Sequence, residues 1–160
     1  MSAQNSGLDI HARGSVPSVG AALARFVAYF DALTPSSLAQ IGTIYAQDAC
    51  FKDPFNDVRG LHAVRGVFAH MFAVTRAPRF VVLHALGNAA EGYVVWDFHF
   101  RSKGRGARDW TIHGATRLEF DTFGRVALHR DYWDAAEELY EHLPLVGLTL
   151  RAIKRRLGAR

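Results

Sequence analysis

The hydrophobic period changes part-way along this chain, and that change is the strongest constraint on its fold. Up to residue 74 most apolar residues recur at helical spacing, and from residue 79 to 133 they alternate as half-buried strands do. Residues 19–33, "VGAALARFVAYFDAL", place Val19, Leu23, Phe26, Phe30 and Leu33 on one stripe, with Tyr29 on its flank. Thr34 and Pro35 can start a second helix, whose stripe would be Leu38, Ile41 and Tyr45. "ACFKD" then reads as a short strand stopped by Pro54, "NDVRG" as a turn, and residues 61–74 as a third helix.

Four strand-like segments follow: "RFVVLHAL", "GYVVWDFHFRS", "DWTIHGATRLEF" and "RVALHRDYW". Turn signals separate them at Gly87-Asn88, at Gly104-Arg105-Gly106 and at "DTFG", residues 121–124. "DAAEEL" restarts a helix, with Asp134 and Glu137 spaced as a capping pair, and a last helical piece comes after Pro144. The order predicts an α+β fold: three N-terminal helices on one face of a curved, mostly antiparallel sheet, with a C-terminal helix. We expect a flexible leader over 1–18, one domain over 19–143 and a basic amphipathic helix over 144–160.

Composition limits the function classes. With 160 residues, 49% of them hydrophobic, the chain can build one core. The net charge of +4 comes from the end, where "RAIKRRLGAR" holds five cations and no acid. The body is near neutral, so no nucleic-acid surface is expected. The single Cys50 cannot form an internal disulfide and is expected to pack as a small apolar residue. No apolar run approaches the ~20 residues of a membrane span, and the first 18 residues lack a signal-peptide core. A cytoplasmic protein is expected. The tail should close the fold as a helix, with weak contact to an anionic membrane surface as a second reading.

Eight histidines are many, yet no pair has helical i, i+4 ligand spacing and none is joined by Cys or Glu in a ligand pattern. No metal site and no cofactor are expected. The informative residues are polar ones inside apolar strands. Asp97 and His99 share one parity of "VVWDFHF", against Val94, Trp96, Phe98 and Phe100. His129, Asp131 and Trp133 share one parity of "VALHRDYW", against Val126, Leu128 and Tyr132. Side chains alternate faces along a strand. Either the polar set faces water, or it lines a pocket under the helices while Trp96, Phe98 and Tyr132 face a partner subunit.

The stretch "YFDALTPSSLAQIGTIYAQDACFKDPFNDVRG", with "FDTFGRV" and "HRDYWD", resembles the NTF2-like superfamily, in its SnoaL-like and ketosteroid-isomerase-like branch. The resemblance covers about residues 20–140 and implies the NTF2-like cone. It implies Asp53 as a catalytic base before Pro54, Tyr29 as an oxyanion donor, and Thr116 where the isomerases carry a second, acidic donor. Phe51 and Phe55 would wall the pocket, and Asp97, His129 and Trp133 would line it. "RDYWD" is similar to a catalytic segment of limonene-epoxide hydrolases and to the last strand of SnoaL-type cyclases, which points to Asp131 as an acid/base group. His99 would be its imidazole partner. The hydrolase triad itself is not reproduced, because Asp97 and His99 stand at its places on the middle strand.

The expectation is a cofactor-independent acid/base enzyme acting on a small, largely apolar carbonyl compound in a closed pocket. Asp53, Tyr29, Asp131 and His99 would be its catalytic groups, and the protein would pair as a homodimer through the sheet face. The alternatives are a non-catalytic small-molecule binder of the same fold, or an epoxide-hydrolase-like enzyme using Asp131.

Overall fold

A computed structural model describes residues 20–142 and 146–158 of the chain. The expected leader, Val19 and the residues around Pro144 lie outside the described residues. Helix α1 spans Ala21–Asp31, a 3-10 helix Ser36–Thr43, strand β1 Tyr45–Lys52, β2 Asp57–Arg59 and α2 Leu61–Val74. Strands β3 Thr75–Gly87, β4 Glu91–Ser102, β5 Asp109–Phe120 and β6 Val126–Tyr132 follow. Helix α3 Ala135–Glu138, a short 3-10 turn Tyr140–His142 and helix α4 Val146–Leu157 end the chain.

The six strands form one sheet in the order β2-β1-β6-β5-β4-β3. Strand β1 pairs parallel with β6, and every other neighbouring pair is antiparallel. The sheet is therefore mixed. Phe26 and Phe30 of α1 and Phe68 of α2 meet Phe80 of β3 and His129 of β6 in one aromatic layer. That layer is the core between helices and sheet, and it follows from the Leu23, Phe26, Phe30 stripe read in the sequence.

Two expectations are corrected. Of the three predicted N-terminal helices, the middle one is a 3-10 helix: Leu38 and Ile41, three residues apart, are its buried side, as the three-residue turn requires. Tyr45 does not continue that stripe. It is the first residue of β1, because the run after Ile41 passes through Gly42, Thr43 and Ile44, which favour leaving a helix.

The second correction concerns strand parity. Trp96 and Phe98, expected on the outer face, belong to the core side. Trp96 is buried, and Phe98 stacks on Phe80 at 4.6 Å. The expected dimer face thus loses two of its aromatics, while Tyr132 remains half exposed there. On β6, Ala127 is an extra residue: Phe120 of β5 faces Val126 while Glu119 faces Leu128. This bulge turns Val126 to the same buried side as His129, which sequence alternation had kept apart.

Candidate active site

The register of the sheet assembles the site. Thr116 of β5 stands opposite Val94 of β4 on one side and opposite Asp131 of β6 on the other. His129 lies one inward position before Asp131, and faces Phe51 of β1. Tyr45, at the head of β1, is fully buried.

These residues form a continuous hydrogen-bonded chain. The Trp96 Nε1–H donates to Thr116 Oγ1 at 2.7 Å, and the Thr116 hydroxyl donates to Asp131 Oδ1 at 2.5 Å. From the other end, Tyr45 Oη lies 2.7 Å from His129 Nδ1, and His129 Nε2 lies 2.8 Å from the same Oδ1. The directions are mutually fixed. An acceptor at Oδ1 calls for the proton on His129 Nε2, so Nδ1 accepts from the Tyr45 hydroxyl. Burial holds the Tyr45 phenol well above its ordinary pKa, and the charge of Asp131 pushes the same way, so Tyr45 stays the neutral donor this arrangement needs. Two donors meet at Asp131 Oδ1, and among the described residues no donor reaches Oδ2.

Asp131, His129 and Thr116 project into a narrow cavity of about 20 Å³, enough for one water. Phe26, Phe30, Phe68, Phe80 and Trp96 form its aromatic walls. Asp131 also borders an open depression with Pro54, Trp133 and Asp134, so its carboxylate stands between the cavity and the surface. Gly114 makes the Trp96 position possible. It faces Trp96 across the β4–β5 ladder, and a Cβ there would lie 2.5 Å from the indole.

Several sequence-predicted residues lie elsewhere. Asp53, the expected base, closes a turn: its Oδ1 accepts from the N–H of Phe55 at 2.7 Å and of Asn56 at 2.6 Å, and the Asn56 amide holds Oδ2 at 2.9 Å. An Asp before Pro serves such a turn well. Tyr29, the expected oxyanion donor, gives its hydroxyl to the Ser37 carbonyl at 3.0 Å. His99 is not the partner of Asp131. It lies on the opposite sheet face, 2.9 Å from Thr111 Oγ1, and Asp97 pairs there with His113 at 2.8 Å. The alternation that turns Trp96 inward forces Asp97 and His99 outward. Phe51 is buried against His129 at 4.6 Å, and Phe55 is exposed, its ring 5.2 Å from Trp133.

The chain thus brings together Asp131, His129 and Thr116 of the predicted set, and adds Tyr45 and Trp96. Gly114 in mid-strand was the signal that could have found Trp96, since a glycine there marks a close approach. Nothing in the sequence marked Tyr45.

A family model of the SnoaL-like domain matches residues 26–129. No curated protein matches the chain. Among solved structures, one described as a SnoaL-like polyketide cyclase from Shewanella putrefaciens CN-32 is similar with a TM-score of 0.62 and 22% identity, covering 74% of this chain and 95% of that one. A protein of ketosteroid-isomerase-like fold from Catenulispora acidiphila DSM 44928, solved with trimethylamine, has a TM-score of 0.64 at 16% identity over 76% of this chain and 92% of its own. An epoxide hydrolase of limonene-epoxide-hydrolase type from M. tuberculosis has 0.59 at 19% identity over 82% and 95%. At these identities the likeness is one of fold.

Proposed function

Because this chain belongs to the SnoaL-like domain family, we propose that it is a cofactor-independent acid/base enzyme whose proton-transfer group is Asp131. The observation that carries the reading is the convergence of His129 and Thr116 on Asp131 Oδ1, which leaves Oδ2 as the oxygen that no donor among the described residues reaches. A carboxylate held at one oxygen and open at the other is placed to take a proton from a substrate carbon next to a carbonyl and to return it. His129 donates to Oδ1 through Nε2, while the Tyr45 hydroxyl at Nδ1 fixes its tautomer. The aromatic cavity itself takes only a water, so a small, largely apolar compound reaches Asp131 from the open depression bordered by Pro54, Tyr132 and Trp133. Asp53 and Tyr29 play no part in this scheme, since turn and carbonyl already hold their polar atoms.

A second reading has its own observation. The cavity beside Asp131 takes one water, which suits a base that activates water for epoxide opening. A paired assay separates the two. Turnover of a model β,γ-unsaturated ketone, abolished in Asp131→Asn, supports the isomerase or cyclase class. Turnover of a small epoxide, abolished by the same change, supports the hydrolase. No turnover of either, with ligand binding retained in both forms, would replace the enzyme by a binding protein of this fold.

A further inference from the structure

The face of the sheet turned away from the cavity carries one rung with an unusual charge order. Lys52 of β1 stands opposite Arg130 of β6, and Arg130 stands opposite Arg117 of β5. Asp57 precedes this row on β2, and Tyr93 follows it on β4. Three cations on adjacent strands of one rung repel one another, because neighbouring strands are only about 4.8 Å apart.

The outer two are compensated and the central one is not. Lys52 pairs with Asp57, and Arg117 Nη2 lies 2.5 Å from Glu119 Oε1. Among the described residues no carboxylate lies within ion-pair distance of Arg130. Its guanidinium sits 5.2 Å from the Tyr132 ring centroid, and its Nε is buried with no hydrogen-bond partner among the described residues. A buried donor on a permanent cation calls for an acceptor.

We propose that Lys52, Arg130 and Arg117 form an anion-binding row whose ligand is a small oxyanion, a phosphate or a carboxylate. The row lines a depression of about 230 Å³, several times the volume of a water. Leu128, Cys50 and Tyr132 give it an apolar border. Asp57 also lines it, but its carboxylate is already committed to Lys52. An oxyanion over the centre of the row gives the Arg130 guanidinium the counter-charge that Lys52 and Arg117 already have, and offsets the repulsion along the rung. Guanidinium and oxyanion are matched in geometry. This site is independent of the chemistry assigned to Asp131, which lies on the other side of the sheet.

The test is thermal unfolding of the full chain in inorganic phosphate, in acetate and in chloride at one fixed ionic strength. A binding anion raises Tm with the logarithm of its concentration. The rise is expected in phosphate or in acetate and not in chloride, and whichever anion produces it assigns the ligand class. Arg130→Gln removes the rise. Arg101→Gln, whose arginine pairs with Asp109 at the far end of the β4–β5 hairpin, keeps it. Should Arg130→Gln fold poorly, the Nε–H resonance of Arg130 in the unmodified protein must still move on titration with the active anion. No rise beyond chloride, an equal rise in Arg130→Gln, or conversion of a dimer to a monomer by that variant without any anion response would overturn the proposal.

Discussion

Thr116 and Asp131 face each other across the β5–β6 ladder, with the Thr116 hydroxyl donating to Asp131 Oδ1 at 2.5 Å. The resemblance placed a second acid at position 116; this chain instead has a short donor aimed at an acid one strand further on. The carboxylate nearest that place in this chain is on β6, where His129 Nε2 also lies 2.8 Å from it.

The first prediction follows from that relationship. Asp131→Asn keeps an amide oxygen that can accept from Thr116 and His129, so the fold should hold, with stability changed by about 1 kcal/mol or less. Loss of the carboxylate removes the proposed acid/base group, and the rate should fall roughly 10²–10⁴-fold. Steady-state kinetics beside a melting curve checks both halves. A variant as active as the parent would remove Asp131 from the mechanism.

Gly114→Ala gives a packing prediction. The added methyl would sit 2.5 Å from the Trp96 ring, and that contact cannot persist. The indole must shift, which breaks the 2.7 Å bond from its Nε1 to Thr116. Overpacking of this kind costs about 1–3 kcal/mol. One of the three Trp indole N–H signals should move in a ¹⁵N correlation spectrum, together with the Thr116 amide, while the outer-face residues His99 and Thr111 stay in place.

The extent to which this site could be read in advance depends on the kind of information each residue carries. Leu23, Phe26 and Phe30 fix α1 because burial at helical spacing is a local pattern. The segment from Asp109 to Phe120 is a strand as expected, since β-branched and aromatic residues alternate there. Which way a strand faces is not local. Asp97 and His99 read as pocket residues because the family's register was carried across without its three-dimensional context. Trp96 and Gly114, paired across two strands, decide the matter; the glycine marks a close approach, but the residue that makes it is set by the register between strands. The bulge at Ala127 hides the parity of β6 in the same way. Asp53 shows the opposite failure: a motif that can be catalytic is satisfied here by two backbone N–H groups of its own turn.

Helix α4 yields a prediction about local stability. Lys154 reaches both Glu141, at 2.8 Å, and Glu137, at 3.0 Å, and these two carboxylates raise its pKa to about 12. The lysine therefore stays charged throughout the working range and ties α4 to the segment before it. Replacing both acids by Gln should speed hydrogen exchange in residues 146–157 several-fold and leave the melting of the sheet unchanged. Unchanged exchange in the double variant would mean that apolar contacts alone seat the helix.

Tyr45 offers a prediction with a defined sign in pH. Burial, and next the negative charge of Asp131, raise its phenol well above the ordinary value of 10.0. Below that value Tyr45 is neutral in both the folded and the unfolded chain, and its contribution to stability is fully present. As pH rises past 10.0, the unfolded chain begins to lose this proton while the folded protein keeps it, so stability falls. The loss from this one group approaches 1.4 kcal/mol per pH unit and continues until the folded-state pKa is passed. Tyr45→Phe removes the titration, and it also leaves His129 Nδ1 without a donor in a buried site. At pH 7 the variant should thus be about 1–3 kcal/mol less stable than the parent. Between pH 9.5 and 11 that difference should shrink, because only the parent carries this alkaline loss. Denaturant unfolding of both proteins across that range measures the two slopes directly. Parallel slopes would mean that the Tyr45 hydroxyl is not the buried, neutral donor on which the protonation pattern of His129 and Asp131 depends.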